Sequence, residues 1–300
     1  MLYSNHDSSG HTTGLDLFTI INEIQCIRNS NITEFLRYII ANYNGRKGDK
    51  MRTLVKLSTN AVDKTLPSDN RRGCLSLIKW VTTEYAGGKY FEEFYQGNHT
   101  KAFSFALGLP RGVRFAGDTI FLPKPESQIT LTISTADPRT AAILSNAFLA
   151  MKGKTHPVKG NMLRIEKVVL LPEKPIPQNS HVLLIRMLAP LCIREHIDNK
   201  DRYITIEDAD FAQQFTRVIA YQLKDQTEFT EEEKNSVQLI PYEMKKTVVR
   251  HYGQKIACSL GVGVLTASPR VLHYLYQSGM GSRRSAGFGL FDIITVSKGG

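Results

Sequence analysis

The chain has 300 residues, about two domains of ordinary size. Its 42% apolar, 22% charged and 9% aromatic residues fit a globular protein with a sizeable core and exclude a disordered chain. The net charge is +10, and residues 1–50 balance five basic against five acidic groups, so the whole excess falls in residues 51–300 and favours an anionic polymer or surface as partner.

No apolar run approaches the roughly 20 residues of a bilayer span, and the polar start has no apolar signal-peptide core. A cytoplasmic protein with no membrane partner is expected. Cys26, Cys74, Cys192 and Cys258 lie far apart without a CxxC, which argues against a disulfide scaffold or a zinc ribbon.

Residues 1–50 form a segment of their own. Two amphipathic stretches, Leu15–Ile24 and Ile32–Tyr43, flank the turn signal Asn29-Ser-Asn31 and predict two short helices. Asn44-Gly-Arg-Lys-Gly-Asp-Lys50 reads as a linker. The segment is either a helical extension or translation upstream of a functional start at Met51. Its apolar faces suit a homodimer as well as a monomer.

From Met51 the hydrophobic period alternates between two and 3.6. Met51–Leu57 predicts a strand, Gly73–Tyr85 a helix, and Lys89–Tyr95 a second helical stretch. Lys101–Leu107 and residues 129–134 alternate as strands. Asp137-Pro138 opens a helix through Met151, and Asn161–Leu171 reads as a strand.

The second half repeats the order. Val182–Leu188 is an apolar strand and Arg202–Ile206 a short one. Glu207–Leu223 is helical. Lys245–Arg250 and Lys255–Leu265 pair as strands, Ser268-Pro269 caps a helix to Gln277, and Ser285–Val296 closes as a strand. The class expected is α+β: two tandem ferredoxin-like (RRM-like) domains, 51–176 and 177–300, joined near Pro172–Gln178.

Gly279-Met-Gly-Ser-Arg-Arg-Ser-Ala-Gly-Phe-Gly-Leu290 places four glycines and two arginines in twelve residues. Glycine lets a ligand backbone approach, and exposed amides form anion nests. Arg283 and Arg284 add forked donors for phosphate. The segment lacks the Lys-Ser/Thr of a P-loop, and it runs from helix to strand, the reverse of a dinucleotide loop. Gly279, Gly281, Ser282, Arg283, Arg284, Ser285, Gly287 and Gly289 are therefore candidate contacts to a phosphodiester chain. A tight turn packed against the sheet is the plain alternative.

This Gly-x-Gly-x-x-x-Ser-x-Gly-Phe-Gly signature resembles the C-terminal loop of the repeat-associated mysterious protein superfamily. Met51–Leu57, Lys101-Ala-Phe-Ser-Phe-Ala106 and Ala189-Pro-Leu-Cys-Ile-Arg194 resemble further landmarks of its CRISPR repeat-cleaving endoribonucleases, the Cas-six family. The resemblance covers about 51–296. It implies metal-independent cutting of CRISPR precursor RNA: the 2′-hydroxyl attacks the adjoining phosphate, leaving a 2′,3′-cyclic phosphate and a 5′-hydroxyl. No metal and no cofactor are expected. Repeat RNA is the implied partner, and subunits of an interference complex are a further class.

The resemblance locates catalysis on the first helix and the loop into the second strand. Lys79, Tyr95, His99 and Lys101 are the candidates, with Tyr85 behind them. Where the family's usual histidine falls this chain has Tyr95, and His99 follows four residues later. Arg71, Arg72, Lys245, Lys246 and Arg250 are candidate RNA contacts. A non-catalytic guide-RNA-binding subunit and a generic two-domain RNA-binding module remain the alternatives.

Overall fold

The computed structural model describes residues 51–59, 65–95, 101–124, 127–158 and 161–296. The expectations for residues 1–50, and that for His99, lie outside them.

The first half contains β1 (Arg52–Thr59), β2 (Thr65–Pro67), α1 (Asn70–Glu84), a 3-10 turn (Tyr85–Gly88) and α2 (Phe91–Tyr95). There follow β3 (Ser104–Gly108), β4 (Arg114–Ala116), β5 (Thr119–Phe121), β6 (Ile129–Ser134), α3 (Pro138–Ala150), β7 (Thr155–Val158) and β8 (Asn161–Leu171). The second half contains β9 (Val182–Met187), β10 (Ile193–Ile197), β11 (Lys200–Ile204), α4 (Phe211–Leu223) and α5 (Glu231–Asn235). It ends with β12 (Gln238–His251), β13 (Gln254–Thr266), α6 (Pro269–Ser278) and β14 (Phe291–Val296).

The two main sheets share one topology. The first runs β3-β6-β1-β8-β7 and the second β12-β13-β9-β14. In each, a βαββαβ unit places its strands in the order second, third, first, fourth, and all pairs are antiparallel. This is the tandem ferredoxin-like α+β architecture expected from the sequence.

Helical spacing explains the packing. Cys74, Leu77, Ile78 and Val81 of α1 and Ile143, Leu144 and Phe148 of α3 bury against Val55, Leu57, Leu131 and Ile165 of the sheet. In the second unit Phe215 and Ile219 of α4 and Val271, Leu272 and Leu275 of α6 bury against Leu183, Ile185 and Leu265. Among the described residues no helix is long and apolar enough to cross a membrane.

Several expected boundaries move. α4 starts at Phe211, not Glu207, because the Asp208 carboxylate accepts from the Thr205 amide (2.8 Å) and hydroxyl (3.0 Å) and holds a turn there. The last strand starts at Phe291, since Arg284–Ala286 is a 3-10 turn and the glycines keep the segment irregular. β12 extends back to Gln238 across a bulge between Pro241 and Glu243. The short sheet β2-β5-β4 and the hairpin β10-β11 are additions to the basic plan.

Candidate RNA-processing site

Three of the four catalytic candidates meet at one place. Lys79 lies on the last turns of α1, Tyr95 ends α2, and Lys101 stands before β3. The Tyr95 ring stacks on Phe91 with centroids 5.1 Å apart. Lys79 Nζ is 5.7 Å and Lys101 Nζ 5.2 Å from the Tyr95 centroid, and Lys79 Nζ is also 5.4 Å from that of Phe91. Both ammonium groups are thus within cation–π range of one ring.

Burial pushes the Tyr95 hydroxyl up to about 12, with the Thr82 hydroxyl opposing. At neutral pH it stays protonated, and its oxygen is buried. The two lysines supply positive charge that a dianionic phosphorane would use. Among the described residues no three His, Cys, Asp or Glu side chains group closely enough to hold a metal ion.

The glycine-rich segment has a different environment from that expected. An ideal Cβ on Gly279 would come within 2.9 Å of Ser104, on Gly281 within 2.7 Å of the Cys192 carbonyl, and on Gly287 within 2.6 Å of the Phe105 ring. On Gly289 it would fall 1.8 Å from the Met280 carbonyl, at φ +73°. The close approach that glycine permits is therefore made by protein: Gly279 and Gly287 meet the first unit across a seam, and Gly281 and Gly289 meet backbone of the second.

The amides of Met280, Gly281, Ser282, Ala286, Gly287 and Gly289 already donate within the protein, which leaves little of an anion nest. Gly289→Ala is expected to destabilise the fold by at least about 2 kcal/mol, read as a lowered denaturant midpoint at unchanged m-value.

The two arginines diverge. Arg284 Nη1 donates to the Ser278 carbonyl at 3.2 Å, and burial lowers its pKa. Arg283, in the left-handed region at φ 57°, donates to the Tyr203 hydroxyl (2.7 Å) and pairs with Asp201 (3.2 Å). Ser282 Oγ accepts from the Arg194 amide at 3.2 Å. Residues 282–286, Ser285 included, stay half-buried at the surface.

The β10-β11 hairpin receives Arg283. Its His196 bonds Asp201 at 2.7 Å. That bond, with burial opposing and Arg194 and Tyr203 assisting, holds the Asp201 carboxyl down at about 2. The stability so gained is present above the usual carboxylate value near 3.9 and is lost as pH falls toward 2. Asp201→Asn should therefore flatten the fall in melting temperature between pH 4 and 2.

Gly287 also lines a cleft of about 460 Å³ between the two units. Phe105, Phe115 and Val248 give it apolar surface, and Arg71, Arg250 and Lys255, against a single Asp118, give it charge. Phe115 is 65% exposed, an uncovered aromatic at the cleft mouth. Arg71 Nε donates to the Gly287 carbonyl at 3.0 Å, so this arginine braces the seam.

Arg250 pairs with Asp118 of the first unit. Arg72 lies 3.9 Å from Asp69 and 4.7 Å over the Tyr252 ring. Lys246 pairs with Glu207 at 3.0 Å, and exposed Lys245 shares the long β12-β13 hairpin. Arg71, Arg250 and Lys255 thus line the cleft, and Lys245 and Lys246 stand on the hairpin.

Residues 171–293 match the family model for the C-terminal part of the CRISPR associated protein Cas6. Among solved structures, a RAMP protein described as binding different RNA substrates has a TM-score of 0.69 at 17% identity over 82% of this chain and 100% of its own. A Cas6-related protein from Pyrococcus furiosus has 0.69 at 17% identity over 81% and 98%. A Cas6 from Thermus thermophilus, solved as a product complex, has 0.60 at 14% identity over 81% and 99%. A search of curated proteins finds no match. The second unit thus carries the sequence pattern of the CRISPR associated protein Cas6 C-terminal part, and the tandem fold is the one these RAMP and Cas6-related structures share.

Proposed function

We propose that this chain processes CRISPR RNA by cutting the precursor within its repeats, without a metal. The 2′-hydroxyl attacks the adjoining phosphorus, the P–O5′ bond breaks, and the products carry a 2′,3′-cyclic phosphate and a 5′-hydroxyl. The convergence of Lys79 and Lys101 on the Tyr95 ring carries this reading. The lysines stabilise charge on the phosphorane and a lysine ammonium gives the leaving 5′ oxygen its proton, while the Tyr95 ring, its hydroxyl buried, lies within cation–π range of both.

His99 takes the proton from the 2′-hydroxyl. It stands two residues before Lys101 in the chain, and an unperturbed imidazole titrates near 6.5. A fold neighbour described as binding different RNA substrates and a Cas6 solved as a product complex support RNA as the partner, and the repeat is the RNA proposed. The strand lies along the basic cleft and the β12-β13 hairpin, with Arg283 and Ser285 at its edge.

The test is incubation of the protein with labelled repeat RNA in EDTA. Cut product with a cyclic phosphate end is expected, and intact RNA across several repeats would overturn the proposal. A second reading is favoured by Tyr95 standing where a histidine is usual: a guide-RNA-binding subunit that does not cut. It predicts tight binding with no product.

Affinity should depend on salt through Lys245 and Lys255. Replacing both by alanine is expected to weaken binding and reduce the magnitude of the log–log salt slope by roughly 0.7–0.9 per lost phosphate contact. An unchanged slope in fluorescence anisotropy would remove them from the interface.

A further inference from the structure

The turn between α1 and α2 opens against α3 into a slot of about 320 Å³, near the small end of ligand-pocket sizes. Tyr85 and Tyr90 form one wall, stacked with centroids 5.8 Å apart and planes 17° from parallel. Ala142, Ile143 and Asn146 form the other, one face of α3. Ile143 is buried, while Ala142 and Asn146 are exposed. Lys89 and Arg139 complete the lining, and none of the lining residues is acidic. Lys89 Nζ lies 5.7 Å over the Tyr90 ring, and Arg139 is near the Asp137 cap of α3.

The backbone that presents the tyrosines is strained. Ala86, Gly87 and Gly88 have successive φ values of 52°, 65° and 80°. A left-handed alanine is unfavourable, and such outliers persist where the surroundings fix them, often at ligand sites. The same turn leads directly into Phe91, which stacks on Tyr95, so the slot adjoins the lysine–tyrosine cluster.

We propose that this slot holds one unpaired nucleotide of the bound RNA strand, close to the cut. This rests on the RNA-processing reading. The base lies on the tyrosine wall, because every base offers a π face that stacks on an aromatic ring. Its phosphate meets Lys89 and Arg139. The Asn146 amide, with both donor and acceptor, meets the base edge. The slot thus favours repeats with an unpaired residue beside the scissile bond, and it recognises a nucleotide where the cleft recognises a backbone.

The experiment uses the full chain, repeat RNA carrying 4-thiouridine at single positions, and the free mononucleotides UMP and AMP. Ultraviolet cross-linking should join one RNA position to the peptide bearing Tyr85 and Tyr90. Ala142→Trp fills the slot from an exposed helical position and should weaken RNA binding about tenfold. Tyr90→Ala should do the same at unchanged salt slope, and Tyr90→Phe should stay within twofold of the parent.

Equal affinity of parent and Ala142→Trp, with cross-links only elsewhere, would overturn the slot and leave the nuclease reading standing. Displacement of UMP or AMP, but not of RNA, by Ala142→Trp would overturn its assignment to the strand. A parent that neither binds nor cuts repeat RNA would remove both proposals.

Discussion

Lys101→Ala is expected to slow single-turnover cleavage of repeat RNA by about 100- to 1,000-fold, the usual cost of removing one preorganised charge-stabilising group. Affinity should change by less than about threefold, since one phosphate among many is affected. The argument is geometric. Lys101 reaches the Tyr95 ring from the β3 side and Lys79 reaches it from α1, so the two cations flank one spot.

His99→Ala should cost about 100- to 10,000-fold, the range of general base catalysis. The pH profile separates the roles. With the Tyr95 hydroxyl pushed up to about 12, no tyrosinate forms in the working range. The rate should therefore rise with pH through the imidazole range and lose that rise in His99→Ala. Tyr95→Phe should keep the inflection and lower the plateau by less than about tenfold, since the ring that meets both lysines is retained. Loss of the inflection in Tyr95→Phe, with its retention in His99→Ala, would reverse the assignments.

The second large effect is on the fold. Arg52, on the first strand of the first unit, is 3% exposed, yet its partners belong to the second unit. Nη2 donates to the Tyr276 carbonyl and, at 2.9 Å, to the Phe291 carbonyl. The guanidinium carbon sits 3.7 Å from the Tyr276 ring centroid, and Asp292 is 3.9 Å away.

Burial lowers the Arg52 pKa, opposed by Tyr276 and Asp292, so its charge is tolerated because the second unit compensates it. Truncation to alanine strands these acceptors and opens a void where α6, β14 and β1 meet. About 3–5 kcal/mol should be lost, the cost of breaking a buried ionic contact. Chemical denaturation should detect this. A loss below about 1 kcal/mol would show that the two units stay joined without the arginine.

Much of the fold was readable because βαββαβ leaves a periodic trace. Ile78 and Val81 recur at helical spacing, and Ile129, Leu131 and Ile133 at strand spacing; the face expected through Leu75 and Tyr85 is turned so that Cys74 and Leu77 are buried instead. Strands of three residues, such as β4 and β5, are too short to carry a period, so their sheet went unseen.

Lys79, Tyr95 and Lys101 were singled out through the family resemblance, and the fold brings the three together. The glycine-rich segment was legible as special but not in its role. Glycine signals close approach without naming what approaches, and Phe105, Ser104 and the Met280 carbonyl are remote in sequence or hidden in the turn itself. The same holds for Arg52, whose partners lie 224 and 239 residues away. The seam nevertheless borders charge, since Gly287 lines the cleft with Arg71, Arg250 and Lys255.

A single deoxy substitution tests the chemistry most directly. Repeat RNA lacking only the 2′-hydroxyl of the nucleotide 5′ to the cut should bind with parental affinity and remain whole, in EDTA and in magnesium alike. Cleavage of that substrate at the same bond would contradict attack by the RNA's own hydroxyl.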